Sequence, residues 1–153
     1  MSVARKSAGF TLLELLVVMA IAALVVGTSV PYAQKMYQSM QYRSAVKDTM
    51  LMLMSARHLA TSTSETVDVY IIPRRNEIRL AAQERNFSEF IYITATTAAE
   101  FNKEDEGIAV IRFYADGSSS GGTISIENIG LRATRLKVDW FLGKISQELY
   151  EPI

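Results

Sequence analysis

Residues 9–31 read GFTLLELLVVMAIAALVVGTSVP, and this stretch decides how the whole chain is organised. Glu14 is the one charged residue in this stretch. A helix of about 20 apolar residues crosses the roughly 30 Å hydrocarbon core of a bilayer, so the stretch predicts one transmembrane segment. Arg5 and Lys6 precede it. Because basic flanks stay in the cytoplasm, we expect the rest of the chain on the other side of the membrane.

A cleaved secretory signal peptide and a plain membrane anchor are the two ordinary interpretations. The apolar run is longer than that of a signal peptide, and its best small-residue cleavage site, residues 29–33, contains a proline and a tyrosine. A plain anchor leaves Glu14 unexplained, because a carboxylate at mid-bilayer costs about 2.5–3.5 kcal/mol. Glu14 is therefore a candidate functional residue.

A short basic leader followed by Gly9, Phe10, Thr-Leu-Leu, Glu14 and an apolar helix resembles the class III signal of type IV pilins and type II secretion pseudopilins. The resemblance implies that a prepilin peptidase cuts after Gly9 on the cytoplasmic face and that Phe10 is then N-methylated. It also implies that Glu14 is needed for assembly, where it meets the N-terminal amine of a neighbouring subunit. A cationic partner at that depth would offset the cost of the buried carboxylate and fix the register.

Composition limits the functions open to the chain. Its 153 residues leave room for one domain beyond the membrane segment. The 16 basic and 16 acidic residues give a formal net charge of zero, so the chain lacks a strong field for holding nucleic acid. It has no cysteine, which excludes disulfides and thiolate metal sites.

The chain divides into three predicted parts: a leader over residues 1–9, a transmembrane and assembly helix over residues 10–31, and a periplasmic domain over residues 32–153. Pro31 should kink the helix without ending it, because proline removes one intrahelical hydrogen bond. Beyond it, an amphipathic half should continue over residues 32–61 and pack on a sheet. Its predicted apolar stripe consists of Met36, Met40, Tyr42, Val46, Met50, Leu53, Met54 and Leu59.

Residues 65–153 carry short runs rich in β-branched and aromatic side chains, separated by polar turns, which is typical of strands. One long helix followed by six or seven short strands predicts an α+β fold. The predicted strands cover residues 66–72, 77–82, 90–97, 108–114, 123–127, 136–141 and 144–149.

A second resemblance lies in this β region. Residues 113–124 read FYADGSSSGGTI and resemble the signature loop of the GspH/FimT group of minor pseudopilins, while residues 138–145, VDWFLGKI, resemble its closing strand pair. The resemblance implies a pilin-like fold, in which a long kinked N-terminal helix packs on a C-terminal antiparallel β-sandwich. The candidate loop residues are Phe113, Asp116, Gly117, Gly121 and Gly122.

The sequence predicts no catalytic residue, cofactor or metal. His58 is the only histidine, which excludes a His-based triad and a multi-His metal site. The glycines lack the lysine and the spacing of a phosphate-binding loop. Glu104-Asp105-Glu106 fits no EF-hand, so a solvated acidic loop is favoured over a calcium site. A membrane-anchored periplasmic enzyme is therefore the weakest hypothesis, and we predict that the chain is not an enzyme.

The favoured interpretation is a GspH-like minor pseudopilin of the type II secretion system, a single-pass protein of the bacterial inner membrane with its N-terminus in the cytoplasm. The implied partners are other minor and major pseudopilins, the prepilin peptidase and methylase, the inner-membrane assembly platform and the lipid bilayer. The alternative is a FimT-like minor type IV pilin involved in pilus assembly or DNA uptake.

The DNA-uptake alternative is weakened by one departure from the family pattern. FimT-like DNA binders carry Gly-Arg-x-Arg near the C-terminus, where this chain has Gly143-Lys144-Ile145-Ser146. Since affinity for duplex comes mainly from neutralising phosphates, the replacement of the second arginine by Ser146 and the near-neutral domain predict no nucleic-acid partner.

Overall fold

The structure, a computed structural model, describes residues 9–98, 107–128 and 132–150, with the side chains of residues 28–31 and 132 excepted. One long helix comes first and antiparallel strands follow, which confirms the predicted α+β fold. The chain divides into two compact units, Met1–Gln38 and Ser39–Ile153, and each is described by itself.

The helix α1 spans Leu12–Thr63 and so ends two residues beyond the predicted residue 61. Hydroxyl side chains in the last turn explain the difference. Thr61 Oγ1 donates a hydrogen bond to the His58 carbonyl at 2.9 Å, and Thr63 Oγ1 donates to the Leu59 carbonyl at 2.9 Å. Residues 62 and 63, which follow the predicted end of the helix, therefore belong to its last turn. The chain turns away at Ser64, which has a left-handed φ of 57°.

The part of α1 in the second unit buries one face. The predicted stripe is confirmed at Tyr42, Val46 and Leu53, and Met50 is half-buried against the same core. It is wrong at the exposed residues Met40, Met54 and Leu59 of this unit and at Met36 of the first unit. Small side chains take the remaining contact positions because they let the strands approach the helix closely. The buried helix residues are Tyr42, Ala45, Val46, Thr49, Met52, Leu53, Ala56 and Ala60.

Eight strands follow the helix within the described ranges, and they form two four-stranded antiparallel sheets. The strands are β1 (Val67–Ile72), β2 (Glu77–Leu80), β3 (Gln83–Asn86), β4 (Ile91–Thr97), β5 (Ala109–Phe113), β6 (Gly122–Asn128), β7 (Arg132–Val138) and β8 (Ile145–Tyr150). Sheet A has the order β3-β2-β1-β5 and sheet B the order β4-β6-β7-β8.

Both sheets contribute to one core with α1. Phe113 and Leu53 are the largest of the fully buried side chains, and buried residues of both sheets belong to the same cluster. A buried hydrogen bond of 2.6 Å joins the Tyr42 hydroxyl on α1 to the Thr134 hydroxyl on β7. Buried residues alternate along β4 and β6, as a sheet with one buried face requires.

Two strand predictions are wrong in position. The predicted strand 77–82 stops at Leu80, and the separate strand β3 follows a turn at Ala81, where φ is 50°. All four side chains of β3 are polar and exposed, so the apolar signal used for prediction is absent there. The predicted strand 136–141 corresponds to β7, which covers Arg132–Val138. The strand ends at Val138 because Asp139 caps the turn that follows.

Candidate functional site

The start of α1 holds the residues predicted to govern processing and assembly. Gly9 and Phe10 precede the helix, and Phe10 is 80 % exposed. A Cβ added at Gly9 would meet no described atom within 4 Å. Glu14 lies exposed in the first turn, where a carboxylate interacts favourably with the helix dipole. The structure thus places the Gly9–Phe10 bond outside the helix and Glu14 just inside it.

Thr11 is a residue of this site that the sequence interpretation missed. Its Oγ1 accepts a hydrogen bond from the Glu14 backbone N–H at 3.2 Å, and its carbonyl accepts one from the Leu15 N–H at 3.2 Å. These two bonds define a helix N-cap. The sequence signal for it is the Thr-x-x-Glu spacing of Thr11 and Glu14, which matches a capping box.

The first part of α1 is a candidate membrane span. An 18-residue window has a mean hydropathy of 2.4, and none of it is buried within the protein. By length and composition, α1 is long and apolar enough to cross a membrane. Pro31 lies inside α1, whose helical backbone continues through it, and the kink stays a prediction.

The predicted signature loop follows β5. Phe113 is fully buried at the end of that strand, so it anchors the loop in the core. Asp116 is exposed, and its Oδ1 accepts hydrogen bonds from the Ser118 hydroxyl at 2.6 Å and the Ser118 N–H at 2.9 Å. These bonds, the hydroxyl first, hold the pKa of Asp116 below its usual value. The three loop glycines all have positive φ angles: Gly117 85°, Gly121 72° and Gly122 152°.

This loop is tied to two segments distant in sequence. On α1, Arg57 Nε donates a hydrogen bond to the Gly117 carbonyl at 3.1 Å. In the turn between β7 and β8, the Asp139 carbonyl accepts from Ser119 Oγ at 2.8 Å, and the Trp140 carbonyl accepts from the Ser119 N–H at 2.9 Å. The two family motifs predicted from sequence, residues 113–124 and 138–145, therefore meet in the fold.

The turn between β7 and β8 is fixed by its own acidic residue. Asp139 Oδ1 accepts hydrogen bonds from the backbone N–H groups of Phe141 at 3.0 Å and Leu142 at 2.7 Å. Gly143 closes the turn with a φ of 58°, and a Cβ there would lie 2.2 Å from the Gly117 carbonyl oxygen. The result is an apolar tip, Trp140, Phe141 and Leu142, of which each side chain is more than half exposed.

We also located the residues that the sequence offered as candidates for metal binding and nucleic-acid binding. Among the described residues, no three His, Asp or Glu side chains lie close enough to hold a metal ion. The acidic loop Glu104-Asp105-Glu106 lies outside the described residues. Lys144 of the Gly-Lys-Ile-Ser segment lines an open groove of about 380 Å³ with Arg57 and His58.

The chain is similar to known proteins in its N-terminal sequence and in its fold. Residues 4–30 match the family described as the prokaryotic N-terminal methylation motif. No curated protein sequence matches the chain. The solved minor pseudopilin EpsH from the type 2 secretion system of Vibrio cholerae is similar over 71 % of this chain and 97 % of that chain, with a TM-score of 0.58 and 10 % identity.

The type IV minor pilin FimU of Pseudomonas aeruginosa (strain PAO1) is also similar, over 72 % of this chain and 90 % of that chain, with a TM-score of 0.55 and 16 % identity. At these identities the likeness is one of fold. The chain therefore carries the prokaryotic N-terminal methylation motif and has a pilin-like fold, a long N-terminal helix packed with antiparallel sheets.

Proposed function

We propose that this chain is a minor pseudopilin of a type II secretion system, with a role like that of GspH. The observation that carries the proposal is the combination of two features in one chain. The methylation motif covers residues 4–30, and the pilin-like fold matches nearly the whole of a minor pseudopilin, EpsH.

Processing is the first step of the proposed function. A prepilin peptidase removes residues 1–9, and a methylase modifies the new amine of Phe10. The geometry of the helix start supports this, because the backbone of Gly9 and Phe10 is not helical and the Phe10 side chain is exposed. The mature protein then begins two residues before α1.

Anchoring and assembly follow. The apolar first part of α1 holds the subunit in the inner membrane, and the second unit folds in the periplasm. Glu14 pairs with the methylated amine of a neighbouring subunit as the helices bundle into a pseudopilus. Its partners are other minor and major pseudopilins and the inner-membrane assembly platform. The subunit acts by assembling and not by catalysing a reaction; the similarity to EpsH, a pseudopilin, and to FimU, a pilin, supports this.

A minor type IV pilin is the second candidate. The similarity to FimU favours it, at 16 % identity against 10 % for EpsH. The cluster of Arg57, His58 and Lys144 around one groove is the observation that bears on nucleic-acid binding. Against a DNA-binding role stands Ser146, which occupies the place of the family's second arginine and whose Oγ donates to the Lys137 carbonyl at 3.4 Å.

Deleting the gene for this chain in its own host distinguishes the pseudopilin from the minor pilin. The deletion strain is assayed both for release of secreted proteins into the medium and for surface pili. Complementation uses the wild-type chain and the Gly9→Val variant, whose leader should stay uncut. We expect secretion to fall and pili to persist, with rescue by the wild type alone. Loss of pili with intact secretion would instead establish the minor pilin.

A further inference from the structure

The N-cap at Thr11 lies directly after the bond that the proposed function requires to be cut. We propose that Thr11 is a positioning residue for leader cleavage: its side chain keeps the Gly9–Phe10 bond outside the helix, where a peptidase can reach it. This inference rests on the proposed removal of the leader after Gly9. It assigns Thr11 a role that neither Phe10 nor Glu14 performs.

Two acceptors, the Thr11 hydroxyl and the Phe10 carbonyl, can compete for the backbone N–H of Glu14. The Glu14 N–H donates to Thr11 Oγ1 at 3.2 Å. In a helix that began one turn earlier, the i to i−4 pattern would direct that same N–H to the Phe10 carbonyl. The next bond of that pattern would join the Leu13 N–H to the Gly9 carbonyl, which belongs to the bond to be cut. Thr11 therefore occupies the donor that would begin the extension.

The membrane makes this competition stronger. The residues after Thr11 are exposed and, apart from Glu14, apolar, and a backbone N–H in hydrocarbon must find its acceptor within the protein. Without the Thr11 hydroxyl, the i to i−4 pattern would direct the Glu14 N–H to the Phe10 carbonyl and the Leu13 N–H to the Gly9 carbonyl. Removing the oxygen thus favours a helix that includes Phe10 and Gly9.

A bond inside a helix is withheld from a peptidase. Proteins that bind extended peptides do so through the peptide's own backbone N–H and C=O groups. In the structure Gly9 and Phe10 lie before the helix, and a Cβ at Gly9 would meet no described atom within 4 Å. Helix formation across the Gly9–Phe10 bond would engage the Gly9 carbonyl in an intrahelical hydrogen bond and so withhold it from such binding.

The experiment measures cleavage of the full-length chain in lipid vesicles that contain a prepilin peptidase. Intact mass follows the initial rate at which the leader is lost. Thr11→Val keeps the shape of threonine without the acceptor oxygen, whereas Thr11→Ser and Thr11→Asn retain a good N-cap. We expect Thr11→Val to slow cleavage about fivefold, in keeping with loss of one N-cap hydrogen bond, and the other two variants to match the wild type. Thr28→Val, the same change inside α1, is the matched control.

Three results would overturn the inference. Thr11→Val could be cut at the wild-type rate; Thr28→Val could be slowed equally; or Thr11→Asn could be as slow as Thr11→Val, which would mean that the peptidase reads the hydroxyl itself. A second measurement does not depend on cleavage. Backbone chemical shifts of Gly9 and Phe10 in lipid bicelles should be non-helical in the wild type and helical in Thr11→Val. If these shifts change as expected while the wild type is never cut after Gly9, the cap stands and the proposed function fails.

Discussion

At the scale of single residues, Glu14 has two separable roles. Its backbone N–H completes the N-cap of Thr11, and its carboxylate is left exposed in the first turn. Substitutions that change only the side chain should therefore preserve the helix start. The exposed carboxylate can serve contacts outside the subunit.

We predict that Glu14→Ala leaves the second unit folded and the leader cleaved, but prevents incorporation into the pseudopilus. In the assembled bundle the lost partner leaves a methylated amine buried and unpaired, at a cost of about 3–5 kcal/mol. Crosslinking of the variant to other pseudopilins, beside a secretion assay, measures the effect, with Glu14→Asp as the control that keeps the charge. Wild-type crosslinking and secretion by Glu14→Ala would remove Glu14 from the assembly role.

Gly143 is a second residue whose substitution should be costly. A Cβ at this position would lie 2.2 Å from the Gly117 carbonyl oxygen and 3.1 Å from Arg57 Nε, and the residue has a left-handed φ. Gly143→Ala should lower the free energy of unfolding by about 1–3 kcal/mol, since backbone must move to relieve the contact. Thermal unfolding of the full chain in detergent micelles tests this, and Lys144→Ala, at the exposed neighbour, should have little effect.

At the scale of elements, a half-buried phenol adds to the attachment of strand β8 to sheet B. The Tyr150 hydroxyl donates a hydrogen bond to Glu127 Oε1 on β6, and the Arg135 guanidinium lies over the Tyr150 ring, 4.3 Å from its centroid. Burial first, and then the bond to Glu127, raise the pKa of Tyr150 above its ordinary value. The protonated phenol thus adds one side-chain hydrogen bond to the backbone pairing of β8 with β7.

We predict that alkaline pH weakens this attachment. Because the pKa is higher in the folded chain, the folded chain keeps a proton that the unfolded chain loses, so stability falls as the pH rises above about 10, the value of free tyrosine. Below that pH the contribution is complete. Tyr150→Phe should flatten this part of the stability curve, measured as the melting temperature from pH 8 to 11. An unchanged slope would show that another group causes it.

Elements marked by a local sequence motif could be predicted, whereas those set by turns or by contacts distant in sequence could not. The signature loop could be predicted because Gly117 belongs to a compact local motif. The helix predicted from residue 10 instead begins at Leu12, after a cap at Thr11 that the sequence interpretation missed. Strand β3 was missed because its four polar residues carry no apolar alternation, and its pairing with β2 is set by the turn at Ala81. The contact of Arg57 with the loop joins residues 60 positions apart, which no local pattern reveals.

At the scale of the whole molecule, charge balance sets what the chain can bind. Its 16 basic and 16 acidic residues cancel, and phosphate neutralisation dominates affinity for duplex DNA. We predict no measurable binding of duplex DNA by the full chain in detergent micelles at about 150 mM salt. Fluorescence anisotropy measures it. Sequence-independent binding with a steep salt dependence would support the minor pilin over the pseudopilin.

One structural feature also determines how the molecule carries mechanical load. The helix that supplies the apolar anchor also supplies the core of the second unit, where its buried residues run from Tyr42 to Ala60. A pull on the part of α1 in the second unit is therefore resisted by its buried side chains together with the bond from Tyr42 to Thr134. Contacts loaded in parallel share the force, whereas a terminal strand peeled from a sheet edge breaks its hydrogen bonds one after another. A subunit built in this way resists being torn from its own anchor.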